Sequence, residues 1–144
     1  MKPVFLTLMV AVISSSSLFA QSEKYLASMK ANIAAIDTSF RNPANLLDLA
    51  NKFERIATAE KTQWLAYYYA ALCQVNYTYM EQDKTKIDPI ADKATELIDK
   101  ADALQPNNSE ISCIKSMIAS AHMMVNPMQR FMEYGTEAQT FIDE

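Results

Sequence analysis

Apolar residues recur along this chain at intervals of three and four, the spacing of one face of a helix. The clearest stretch is Ala91, Ala94, Leu97, Ile98, Ala101 and Leu104, followed by a Leu-Gln-Pro-Asn-Asn break at Leu104–Asn108. Pro106 cannot continue that helix and biases Gln105 away from helical angles. Asn108 or Ser109 can then cap a further helix with Ile111, Ile114, Met117, Ile118 and Ala121 on one side. Upstream, Leu26, Met29, Ile33 and Ile36 predict a helix over Ser22–Ser39. Leu46, Leu49, Ala50, Phe53, Ile56 and Ala57 predict one starting at Pro43. Trp64, Tyr67, Tyr68, Ala71, Leu72, Val75 and Tyr79 predict one over Thr62–Met80. A polar run, Glu81–Ile87, reads as a solvated loop. A last helix is predicted from Pro127, with Met128, Phe131, Met132, Ala138 and Phe141. Asn42-Pro43, Asp88-Pro89 and Asn126-Pro127 repeat one start signal, an Asx cap with Pro at the first helical position.

Six helices with short links favour antiparallel neighbours. The expected fold is all-α, three helical hairpins stacked side by side, each burying an apolar face that it would leave wet alone. Tyr67-Tyr68-Tyr69 and Val75–Tyr79 have strand-like composition but lie inside a longer helical period.

In this region the chain resembles the tetratricopeptide-repeat family. Ala94, Ile98, Ala101 and Pro106 stand where the repeat's second helix puts its small, larger apolar, second small and closing proline residues. Trp64 and Tyr67 fit the opening of a first helix, with Tyr68 where a small residue is usual. From Trp64 to the equivalent Ser112 is 48 residues, against a repeat of about 34, so the repeat is degenerate. The whole chain is also similar to small exported repeat proteins of Bacteroidetes-type bacteria. The resemblance implies an α-solenoid and a protein- or peptide-binding or assembly module in the cell envelope.

Met1–Ala20 changes the picture of where the chain works. Lys2, the apolar run Val4–Ile13 and the small residues ending at Ala20 read as a signal peptide cleaved after Ala20. The apolar run is about half the ~20 residues a spanning helix needs. The organisation expected is therefore a leader over 1–20 and one helical domain over 21–144, periplasmic or secreted, with no stable membrane span once the leader is gone. Phe141 and Ile142 are apolar near the end with no polar capping helix after them, which reads as truncation at the C-terminus or as a partner face.

Net charge is −4 over 144 residues, and −5 without Lys2. With no Lys/Arg cluster this argues against nucleic acid and anionic lipid as partners. One Gly in the chain argues against a sheet protein built on tight turns.

Candidate chemistry is sparse. His122 is the single histidine, with no acidic partner on its own helix to orient it, and no nucleophile–base pair or spaced Cys/His set is visible. The protein reads as a non-enzyme without cofactor or metal. His122 with Met117, Met123, Met124, Met128 and Met132 could form a soft-metal site, but methionines more often fill helical cores. Cys73 and Cys113 fall about 12 Å apart along parallel helices in the repeat register, too far for a disulfide, so two buried free thiols are expected. The aromatic set Trp64, Tyr67, Tyr68, Tyr69 and Tyr77 is the candidate interaction surface for a protein or peptide, with packing as the competing reading. The alternative function is a small-molecule or soft-metal binder using the Tyr/Met/His-rich surface.

Overall fold

Helix starts are set by side chains that accept hydrogen bonds from otherwise unpaired backbone N–H groups. The computed structural model describes residues 23–143, and α1 covers 23–39. The Asn42 side chain accepts from the Ala44 N–H at 3.2 Å, and α2 follows over Ala44–Ala59. α3 spans Trp64–Thr78. Asp83 accepts from the Thr85 N–H at 3.0 Å and starts a 3-10 turn, Lys84–Lys86, that runs straight into α4, Ile87–Leu104. The Pro106 break holds, and Asn107 takes a left-handed conformation at φ 59°, one that Asn tolerates better than most residues. Asn108 then accepts from the Glu110 N–H at 2.9 Å and opens α5, Ser109–Val125. Asn126 caps a four-residue α6, Pro127–Arg130. A π-helical turn, Phe131–Gly135, and α7, Thr136–Asp143, complete the described chain.

Two of the three Asx-Pro signals therefore act as read. The third does not. Asp88 lies inside the first turn of α4, because the chain already turns helical at Lys84 and buries Ile87. Its carboxylate is free for another task.

The apolar stripes of α2, α4 and α5 are buried as their periodicity requires, whereas Tyr79 on the third predicted helix and Met128, Phe131 and Met132 on the last are exposed. Leu46, Phe53, Ala91, Ala94, Leu97, Ile98 and Ala101 are fully buried, and Met29 on α1 joins the same cluster. α3 packs chiefly on α2 and α4, its neighbours in sequence, and also touches α5. Leu26 and Leu104 stay exposed at the ends of their helices.

The expected α-solenoid of three stacked antiparallel hairpins is corrected to an all-α bundle. α1 to α5 contribute to one continuous core instead of a row of equivalent interfaces. The third hairpin does not form as a repeat either. The helix predicted from Pro127 breaks at the π turn, and of residues 127–143 only Ala138 is buried. Gly135 is part of that break: a Cβ there would lie 3.2 Å from the Phe131 ring, so its hydrogen lets the turn close tightly. The leader, residues 1–20, and the cleavage point before Gln21 lie outside the described residues. Among the described residues there is no strand, and no helix is long and apolar enough to cross a membrane.

Candidate functional site

Two helical stripes face each other across a cleft between α1 and α2. On α1, Lys24, Ser28 and Asn32 recur every four residues, with Tyr25 beside them. On α2 and its end, Lys52, Arg55, Ile56, Ala59 and Glu60 recur at three and four. Helical period alone puts each set on one face, and packing of α1 on α2 brings the faces together. The cavity between them is about 470 Å³, within the range of ~300–1,000 Å³ usual for small-molecule and cofactor sites. The Tyr25 ring, Ile56 and Ala59 give it apolar surface, and three cations and one carboxylate stand around it.

Tyr25 is unusual there. Its hydroxyl is buried and has no hydrogen-bond partner among the described residues. Burial, and then the Glu60 carboxylate, push its phenol above its ordinary pKa, so it stays a neutral O–H donor at physiological pH.

A cavity of about 550 Å³ lies at the start of α5, around Asn107, Asn108, Ser109 and Lys115. It is less suited to an anionic ligand, because Lys115 is already paired with Asp102 at 2.6 Å and Asp99 at 3.4 Å.

The residues singled out from sequence are placed otherwise. Trp64, Tyr67, Tyr68 and Tyr69 are half-buried against the core. Tyr69 stacks on Phe53 at 5.3 Å, Tyr68 meets Trp64 edge-on at 5.7 Å, and Lys100 lies over the Tyr67 ring. Tyr77 donates to Glu81 at 2.7 Å, one turn further along the chain. The structure therefore brings Trp64, Tyr68 and Tyr69 together with Phe53 as one packed aromatic group beside the core, sets Tyr67 under Lys100 and leaves Tyr77 apart.

His122 does have acidic partners, supplied by α4 and not by its own helix. Its Nδ1 is 2.9 Å from Asp88 Oδ1 and its Nε2 is 3.6 Å from Asp92 Oδ1. Arg130 holds both oxygens of Asp88, at 2.7 and 2.8 Å, and donates to the His122 carbonyl at 3.0 Å. Tyr134 stacks on the imidazole with centroids 5.0 Å apart. The Arg130 hydrogen bonds hold the Asp88 carboxyl below the usual carboxylate range, against the opposing effect of its partial burial. With both ring nitrogens facing carboxylates, His122 is engaged in tying α4, α5 and the C-terminal segment together and is not presented to a ligand. Among the described residues no group of three or more His, Cys, Asp or Glu could hold a metal ion. Cys73 and Cys113 are both free thiols; Cys73 is buried and pushed up to about 12, whereas Cys113, expected inside, is exposed.

In outline, the described residues form an all-α bundle with a polar-rimmed cleft between α1 and α2. The comparison with solved structures makes that outline specific. The chain is similar to the HusA haemophore from Porphyromonas gingivalis, with 34% sequence identity and a TM-score of 0.73 over 81% of this chain. It spans 56% of that protein's length. Neither a protein-family model nor a curated protein matches the chain.

This likeness overturns the tetratricopeptide reading, since the all-α fold shared is that of a haemophore. It also overturns the reading as a generic protein- or peptide-binding assembly module and favours the small-molecule alternative. The expectation that the protein is not an enzyme agrees with this likeness. The periplasmic or secreted location stands too. A protein partner is consistent with the likeness.

Proposed function

We propose that this protein is an exported carrier of a haem-class tetrapyrrole, held in the cleft between α1 and α2. The observation that carries the reading is the similarity to a haemophore at 34% identity across most of the chain. The cleft supports it: an apolar wall from Tyr25, Ile56 and Ala59 suits a flat macrocycle, and Lys24, Lys52 and Arg55 suit its acid groups. The cargo is the ligand, not a resident cofactor. A carrier has to hand its cargo on, so a receptor of the same envelope belongs to this reading.

Titration of the processed protein with haemin, followed in the Soret band, tests it. A saturable shift at one equivalent is expected, and Ala59→Trp, which fills the cleft from an exposed position, should weaken it at least about tenfold. Absence of a saturable shift refutes the carrier reading. A shift untouched by Ala59→Trp refutes the location.

A further inference from the structure

We infer that the cleft selects its ligand through two carboxylates, with Lys24, Lys52 and Arg55 as their cationic partners and the Tyr25 hydroxyl turning to donate to one of them. The inference rests on the tetrapyrrole reading and adds what part of the ligand is recognised.

Charge balance is the first argument. The cleft brings together three cations and Glu60, a net of +2 that a dianion would neutralise. None of those three cations lies within ion-pair distance of a carboxylate among the described residues, whereas Lys93, Lys115 and Arg130 are each paired at 2.6–2.7 Å. The three cations at the cleft are therefore available to a ligand, and they converge on one cavity.

The distribution of charge along the chain points the same way. Residues 21–63 hold six cationic and five acidic side chains; residues 64–144 hold six and twelve. Residues 21–63 thus carry a net +1 and residues 64–144 a net −6, so an anionic ligand is favoured beside α1 and α2 over the rest of the chain.

Tyr25 supplies the third argument. Among the described residues its hydroxyl is the one buried side-chain N or O atom left without a partner. Native proteins seldom leave such a donor unmet, and a shift of the ring into the cleft that Tyr25 lines gives the hydroxyl a carboxylate oxygen as acceptor. A phenol kept neutral by burial and by Glu60 donates to a carboxylate rather than competing with it for cations.

Protoporphyrin IX and its dimethyl ester distinguish the possibilities, since they share the macrocycle and differ only in the two acids. Binding of each is read by porphyrin fluorescence in the same detergent. The free acid should bind at least about tenfold more tightly than the ester, and only its affinity should fall with added salt. Lys52→Gln with Arg55→Gln should bring the acid down to the level of the ester and leave the ester unchanged. Both positions are exposed, so folding is not at stake. Tyr25→Phe, which keeps the ring, should weaken the acid a few-fold and not the ester. Equal affinity for acid and ester overturns the inference and leaves the carrier reading standing. Failure to bind either overturns both.

Discussion

Replacing Asp88 by Asn removes the charge at the centre of the ion cluster while keeping the shape of the side chain. In the native protein Asp88 accepts from Arg130 Nη1 and Nη2 at 2.7 and 2.8 Å, and faces His122 Nδ1 at 2.9 Å. An amide can keep one acceptor there, but it turns an NH₂ group toward another donor. The loss is about one bidentate, charge-assisted contact, which would be ~3 kcal/mol if fully buried. The Asp88 side chain is 34% exposed, so solvent screening reduces the estimate to about 2 kcal/mol. For a domain of this size that corresponds to a fall in Tm of about 6–8 °C. The pH dependence is a second check. A carboxyl with a depressed pKa in the folded state stabilises the protein above its unfolded value of about 3.9, and that contribution is lost as pH falls toward the folded value. Thermal unfolding followed by circular dichroism should show the full gap between the wild type and Asp88→Asn at pH 7, narrowing between pH 5 and pH 3. No gap at pH 7, or the same gap at pH 3, would refute the role given to this cluster.

Two further outcomes follow from burial. Phe53 is fully buried and stacked on Tyr69, so Phe53→Ala should cost about 3–5 kcal/mol, measured by urea unfolding; a cost under 1 kcal/mol would mean that α2 and α3 do not share the core described. Cys113 is exposed and Cys73 buried with its thiol pushed up to about 12. A thiol reagent should titrate one cysteine in the native protein and two in denaturant; two reactive thiols in the native state would place Cys73 at the surface.

How far the residues alone announce this structure depends on the kind of interaction. The stripe Ala91–Ala101 on α4 and the Leu46–Ala57 stripe on α2 are buried as their spacing requires, because amphipathic period is a property of a single helix. Asn42, Asn108 and Asn126 cap the helices they precede, again a local matter of one side chain and one N–H. Asp88 looks identical to them in sequence and does something else, because Asp83 starts the helix a turn earlier and Arg130 lies 42 residues away. His122 lacked an acidic partner only while its own helix was considered. The cleft left a faint trace in the four-residue recurrence of Lys24, Ser28 and Asn32 and in the α2 set around Arg55, but each stripe alone reads as a solvated face.

The repeat signature misled for a related reason. Small and apolar residues at helical spacing before a proline serve any pair of packed helices, so they define a helical hairpin without specifying how hairpins assemble. That choice shows only in the tertiary structure, where α1 to α5 contribute to one continuous core and a π turn at Phe131–Gly135 breaks the last predicted helix. Helix content, and the inward faces of α2, α4 and α5, were already decided by residue order, since each depends on neighbours within a few positions. The bundle, the ion cluster around Asp88 and the positively charged cleft beside Tyr25 exist only through contacts between distant segments, and no local pattern encodes which surface meets which.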